Sequence, residues 1–229
     1  GMRTTRALYA ERLATEGSVP PGEAAAMSAA FDQTLEDAYA AAQSYKPNKA
    51  DWLEGHWSGM STAAQQDEQV EDATGLPPEV LQTIGRALYT PPGAFDLNPK
   101  IARQLDAKRA MFETGGGVDW ATAEAMAFGG VLLDGNRVRL SGEDCQRGTF
   151  SQRHAVLTDQ TNQNEYVPLN NIQPDQAKIE IYNSLLSEQG VLGFEYGYTL
   201  ADPKVLVLWE AQFGDFANGA QVIIDQFLA

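Results

Sequence analysis

The sequence predicts an α/β fold in which a helical arm precedes a partial, doubly wound and mostly parallel sheet. Apolar residues recur at helical spacing through most of the first 112 residues, and beyond Gly115–Gly117 short apolar strands alternate with helices. Strands joined through helices pair in parallel, because each helix returns the chain to the same end of the sheet. We therefore predict a helical arm over 1–112 and a partial α/β domain over 113–229.

The arm begins with two predicted helices. The first covers Thr4 to Thr15 and is stopped by Gly17, whose missing side chain suits a helix end. The second opens at Pro20–Gly22 and runs to about Ser44, with its apolar residues along one stripe. The short turn between them favours an antiparallel hairpin.

The rest of the arm is less regular. Tyr45–Trp52 shows no periodicity, and Ser61–Thr74 is polar and acidic, which indicates an exposed connection. Two more helices are predicted, from Pro78 to about Leu88 and from Ile101 to Phe112, because prolines or polar residues bound each apolar pattern.

The α/β part carries clear start and stop signals. Asp119 and Ser187 are typical helix N-caps, and Gly135 is a typical helix end. In chain order, the pattern predicts helix Trp120–Leu133, strand Val138–Leu140, polar loop Ser141–Gln160, strand Lys178–Tyr182, helix Glu188–Leu200, strand Val205–Leu208 and helix Ala217–Leu228.

Composition excludes several classes of protein. A net charge of −15, from 31 acidic and 16 basic residues, argues against binding to nucleic acid or to an anionic membrane surface. The single cysteine, Cys145, excludes an internal disulfide and a cysteine-rich zinc site. No run approaches the roughly 20 apolar residues of a membrane span, and no signal peptide is visible, so we expect a cytoplasmic location.

Three clusters have side chains that could carry chemistry. The first is the loop after the Val138 strand, where Arg147, Gln152, Arg153 and His154 could hold a carboxylate substrate. Ion pairs from these arginines to Glu143 and Asp144 would instead make it a structural loop.

The other two clusters follow the later strands. Glu188 opens a glycine-bearing helix, where a carboxylate is either a favourable partner of the helix dipole or a functional group. Phe213 and Phe216 flank a turn after the last strand, and they form either a slot for a flat ring or part of the core.

Long strings in these clusters resemble one enzyme family. They are Leu140–Val156, Tyr166–Asn170, Leu186–Tyr198 and Trp209–Gln226, with weaker support from Tyr45–Trp52, Trp57–Gly59 and Asp119–Trp120 with the helix after it. Together they resemble the E1 components of 2-oxoglutarate dehydrogenase complexes, which are thiamine-diphosphate enzymes of the tricarboxylic acid cycle. The resemblance implies a transketolase-like pyrimidine-binding domain, here truncated, after an interdomain helical arm.

The resemblance also implies roles for single residues. Glu188 matches the glutamate that hydrogen bonds N1′ of the aminopyrimidine, and Phe213 or Phe216, with Phe216 favoured, would stack on that ring. Gln152 and His154 match the active-site loop and would face the substrate or the lipoyl arm. Catalytic roles are therefore expected for Glu188, His154 and Gln152.

The implied reaction is oxidative decarboxylation of 2-oxoglutarate and transfer of the succinyl group to a lipoyl-bearing E2 component, by a homodimer with thiamine diphosphate and Mg²⁺. The family's Gly-Asp-Gly metal motif is not found in this sequence. Gly214–Phe216 begins in the same way but ends in phenylalanine, so it is not a substitute. We therefore expect no metal ligands here, no tight cofactor binding and no activity from this chain alone. The alternatives are a 2-oxoadipate-type paralogue and a non-catalytic interaction module.

Overall fold

A computed structural model describes residues 2–46, 55–60 and 74–229. The chain forms two compact units, residues 1–54 and residues 55–229. The predicted irregular segment Tyr45–Trp52 and the predicted connection Ser61–Thr74 lie almost wholly outside the described residues.

The first unit contains the two predicted helices, α1 (Thr5–Thr15) and α2 (Glu23–Ala42). Thr4 caps α1 by accepting a hydrogen bond from the Ala7 amide at 3.3 Å. The Arg6 guanidinium donates to Ser28 Oγ at 2.8 Å and so joins the two helices across the turn.

The second unit opens with three helices, α3 (Pro78–Tyr89), α4 (Pro99–Thr114) and α5 (Trp120–Leu133). The bounds of α5 and its Asp119 cap are those that the sequence predicts. Helix α3 packs on α4 and α5. Gly129 of α5 allows α3 to approach closely, because a β carbon at position 129 would lie 2.6 Å from Ile84 Cγ2.

Helices α3 and α4 precede the predicted domain boundary between 112 and 113, yet they pack in the same unit as α5. The boundary itself stays a prediction.

The sheet of the second unit confirms the predicted parallel pairing. Strands β1 (Val138–Gly142), β4 (Ile179–Asn183) and β5 (Leu206–Glu210) pair in parallel in the order β4-β1-β5. Val138 and Leu140 face a buried core with residues of α5, whereas Arg139 and Ser141 face α6 (Glu188–Ala201) on the opposite side. The sheet therefore lies between α5 and α6.

The observed elements differ from the predicted ones in two places. A short antiparallel pair is formed by β2 (Leu157–Thr158), inside the predicted loop, and β3 (Glu165–Tyr166), where no element is predicted. Two-residue strands leave too short a pattern to recognise. The predicted helix Ala217–Leu228 is instead a 3₁₀ turn over Gly214–Ala220, one α turn, α7 (Gln221–Ile223), and a π turn over Ile224–Leu228.

Packing against α6 accounts for the irregular C-terminal segment. The wider π turn brings the Phe227 ring to 5.9 Å from that of Tyr196, and Ile223 reaches Gly193. Within the described residues, no helix has the length and apolar character needed to cross a membrane.

Candidate functional site

The three clusters meet at one edge of the sheet. The parallel register aligns Gly142, Asn183 and Glu210, which are the last residues of β1, β4 and β5. The segments that follow these strands therefore leave the sheet side by side, and this carboxyl edge is where open α/β sheets place ligands.

Glu188 lies in the first turn of α6, after the end of β4. Ser187 caps this helix by accepting a hydrogen bond from the Gly190 amide at 3.2 Å. The half-buried Glu188 carboxylate adjoins the turn after β5, because a β carbon on Gly219 would lie 3.2 Å from Glu188 Oε2. Among the described residues, this carboxylate has no hydrogen bond or ion pair, so its oxygens are available to a ligand.

An aromatic cluster, formed by Phe150, Phe213 and Phe216, connects the loop after β1 to the turn after β5. Phe213 meets Phe150 and Phe216 edge to face, each at 5.7 Å between ring centroids. All three rings are exposed, so the core reading of Phe213 and Phe216 is not supported. Phe150 lies in the predicted loop Ser141–Gln160, but the sequence does not predict its contact with Phe213.

Gln152 and His154 lie on the loop after β1, together with Phe150. Gln152 is exposed and folds back on its own loop, where its Oε1 accepts a hydrogen bond from the Phe150 amide at 2.9 Å. His154 adopts a positive φ of 45°, a left-handed conformation that costs energy for a residue other than glycine. Such strain is often found at functional sites.

The surroundings of His154 favour the neutral form of its imidazole. Burial lowers its pKa, and the nearby positive charges of Lys108 and Arg147 lower it further, against a hydrogen bond with the Ser151 backbone that acts in the opposite direction. Its buried Nε2 has no hydrogen-bond partner among the described residues. That nitrogen therefore has an unused capacity for one hydrogen bond.

The two arginines of the same loop are held by carboxylates of the chain. Arg153 is buried, and its guanidinium contacts Glu124 at 2.7 Å, the Glu210 carboxylate and the Cys145 carbonyl at 3.0 Å. Arg147 pairs with Asp144 and remains half exposed. The expected pair with Asp144 is therefore present for Arg147. The carboxylates that hold Arg153 come instead from α5 and β5.

Cys145 is fully buried beneath this loop and is expected to be unreactive in the folded chain. Burial, and next the negative charge of Glu210, raise the pKa of its thiol to about 12. Because the thiolate is the reactive form, alkylation by iodoacetamide at pH 8 should be more than about a hundredfold slower than in the unfolded chain. Thiol titration with and without denaturant measures this ratio, and equal rates would contradict the buried position.

The structure therefore brings Glu188, Phe213 and Phe216 to the same edge as the loop that carries Gln152 and His154. In the described part of the chain, no group of three or more histidine, cysteine, aspartate or glutamate side chains is placed to hold a metal ion. A carboxylate such as that of Glu188, beside exposed aromatic rings, suits a flat, nitrogen-containing ring.

Comparison with known proteins places this fold in a class. The family described as transketolase, pyrimidine binding domain matches residues 116–229. This part of the chain therefore belongs to the transketolase-type pyrimidine-binding domains.

The wider match is to one particular enzyme. The chain is 55% identical over 227 residues to the 2-oxoglutarate dehydrogenase E1 components of Brucella canis, Brucella suis and Brucella abortus. The match covers 99% of this chain and 23% of each relative, so the chain corresponds to a segment of such an E1 component. The predicted resemblance and α/β class are confirmed.

Proposed function

We propose that this chain supplies the aminopyrimidine-binding half of the thiamine diphosphate site in a 2-oxoglutarate dehydrogenase E1 component. The observation that carries the proposal is Glu188, a half-buried carboxylate at a helix N-terminus with no partner in the described structure. The proposed substrate, 2-oxoglutarate, is inferred from relatives that are named as 2-oxoglutarate dehydrogenase E1 components.

Glu188 has the chemistry that an aminopyrimidine requires. A carboxylate can share a proton with N1′ of that ring, and the N-terminal end of α6 stabilises the charged form that accepts it. When bound, thiamine diphosphate supplies the electron sink for loss of carbon dioxide from a 2-oxo acid. Glu188 would hold the proton whose position activates this group.

The aromatic cluster would form the wall of the ring site. Phe216 lies three residues before Gly219, whose missing side chain leaves room for the Glu188 carboxylate. Of the two rings, Phe216 is therefore the nearer along the chain to the residue that adjoins Glu188, and Phe213 supports it in edge-to-face contact at 5.7 Å. We assign the stacking role to Phe216 on this basis.

Gln152 and His154 would face the 2-oxo acid or the incoming lipoyl arm of an E2 component. A neutral imidazole with an unpartnered Nε2 can exchange a hydrogen bond with substrate. Gln152 is exposed and can turn its amide toward a ligand by changing rotamer. The strained backbone at His154 is consistent with such a role.

The remaining parts of the site would come from elsewhere in the enzyme. Among the described residues, no group of three or more histidine, cysteine, aspartate or glutamate side chains is placed to hold a metal ion, so we assign the ligands of Mg²⁺ and of the diphosphate to another domain of a homodimeric E1. The chain alone would then neither bind the cofactor tightly nor turn over substrate. One cysteine in 229 residues suits the reducing bacterial cytoplasm.

Replacing Glu188 by glutamine in the full-length E1 component tests the proposal. An amide cannot hold the proton at N1′, so 2-oxoglutarate decarboxylation should fall by about 10²–10⁴-fold, the usual contribution of acid–base catalysis. Glu79→Gln is the matched control, because Glu79 also lies in the first turn of a helix but on α3. Wild-type rates in the Glu188 variant would contradict the assignment.

A further inference from the structure

A cleft lies between the loop after β1 and the start of α4. It has a volume of about 420 Å³, and its walls are the start of α4, the loop after β1, the β2 region and the end of β4. Glu188, Phe213 and Phe216 are not among its lining residues. The cleft is therefore distinct from the aromatic cluster, although His154 borders it.

The charge of this cleft is opposite to that of the chain. Acidic residues outnumber basic ones by 31 to 16 in the sequence, yet no aspartate or glutamate lines the cleft, whereas Lys100 and Arg147 do. The other polar side chains along its walls are amides, hydroxyls and the imidazole of His154. A local positive potential in an acidic protein favours an anionic ligand.

The two cations have donors to spare. The Lys100 ammonium has no ion pair or hydrogen bond among the described residues. The Arg147 guanidinium gives three of its five N–H groups to Asp144 and Ser151 Oγ, which leaves two. Asp144 neutralises part of the Arg147 charge, so Lys100 provides most of the net positive charge.

Neutral donors on the same walls are held in fixed positions. Asn183 Oδ1 accepts from the Gln146 backbone N–H at 3.0 Å, and Asn183 Nδ2 donates to Gln146 Oε1 at 3.2 Å, so the Asn183 side chain is held at both ends. Asn98 accepts from the Lys100 amide at 2.9 Å through its oxygen, which leaves its NH₂ group unused among the described residues. Fixed amides beside cations suit an oxyanion, because little entropy is lost on binding.

We propose that this cleft binds an oxyanion group, the carboxylate or phosphate of a small metabolite, through Lys100 and Arg147. The site goes beyond the proposed function, because it needs neither Glu188 nor the cofactor. Lys100 is the principal ligand, and Arg147 orients the anion through its two remaining N–H groups.

Titration of this chain with inorganic phosphate and with succinate, at constant ionic strength made up with chloride, tests the site. Chemical-shift changes in ¹H–¹⁵N spectra should saturate and map to the cleft. Lys100→Gln and Arg147→Gln should each weaken binding by about tenfold, as expected for loss of a charge-assisted hydrogen bond. Tighter binding of succinate would identify a carboxylate site, and tighter binding of phosphate a phosphate site.

Arg103→Gln is the matched control. Arg103 lies on α4 one turn from Lys100, carries the same charge, is exposed and is outside the cleft lining. Its replacement should leave both affinities unchanged. Shift changes that never saturate, or equal weakening by all three variants, would show only non-specific attraction and would overturn the proposal.

Discussion

The Glu195→Ala variant should lose about 3 kcal/mol of the free energy of unfolding, because it breaks a buried ion pair. Glu195 is 3% exposed and accepts hydrogen bonds from Arg139 at 2.7 and 3.0 Å and from Ser141 at 2.8 Å. Arg139 keeps Glu180 as a second partner at 3.1 Å, so the loss should lie at the lower end of the range for such pairs. Urea unfolding followed by circular dichroism measures it.

A nearby exposed pair provides the control. Arg137 also binds Glu180, but its side chain is 45% exposed, so Arg137→Gln should cost less than about 1 kcal/mol. The Arg139 guanidinium also stacks on the rings of Tyr182 and Tyr198, each at 4.6 Å. If Glu195→Ala costs no more than Arg137→Gln, the buried pair does not stabilise the contact between α6 and the sheet.

The Arg153→Met variant should be destabilised by a similar amount, about 3 kcal/mol. Methionine fills much of the space, but it leaves the carboxylates of Glu124 and Glu210 facing each other without the cation between them. These carboxylate side chains are 36% and 31% exposed, so water can offset part of the loss. The Cys145 carbonyl also loses its hydrogen bond. Thermal and urea unfolding should both detect the change.

Arg147→Gln is the control for this variant, because Arg147 lies on the same loop and pairs with Asp144 at a side-chain exposure of 52%. Its stability should remain within about 1 kcal/mol of the parent. Equal stabilities of Arg153→Met and Arg147→Gln would mean that the buried arginine does not anchor the loop.

Both buried pairs hold the elements that carry the candidate site. Glu195 lies seven residues after Glu188, two helical turns along the same face of α6. Its bonds to Arg139 and Ser141 therefore fix the helix on the sheet where Glu188 is presented. Glu210 ends β5 three residues before Phe213, and Arg153 ties that strand end to α5 and to the loop of Gln152 and His154. Variants at these positions should loosen the carboxyl edge as well as the fold.

Local signals in the sequence predicted most of the helices and strands. Asp119 and Ser187 cap their helices as expected, since a cap depends only on residues within one turn. Strand β5 was placed within two residues of its bounds, and the alternation of strands with helices indicated parallel pairing. The long strings around Glu188 and Trp209 indicate the family, because they depend only on residue order. The roles of Glu188, Gln152, His154, Phe213 and Phe216 stay predictions.

Only the tertiary structure decided which residues meet. Nothing near Arg153 in the sequence indicates Glu124 or Glu210, which lie 29 and 57 residues away and come together because α5 and β5 flank β1. Phe150 joins Phe213 for the same reason, and the C-terminal segment departs from an α-helix where it packs on α6. Helix caps and hydrophobic periods are set by neighbours along the chain, whereas strand order and buried ion pairs depend on long-range packing that no local pattern encodes.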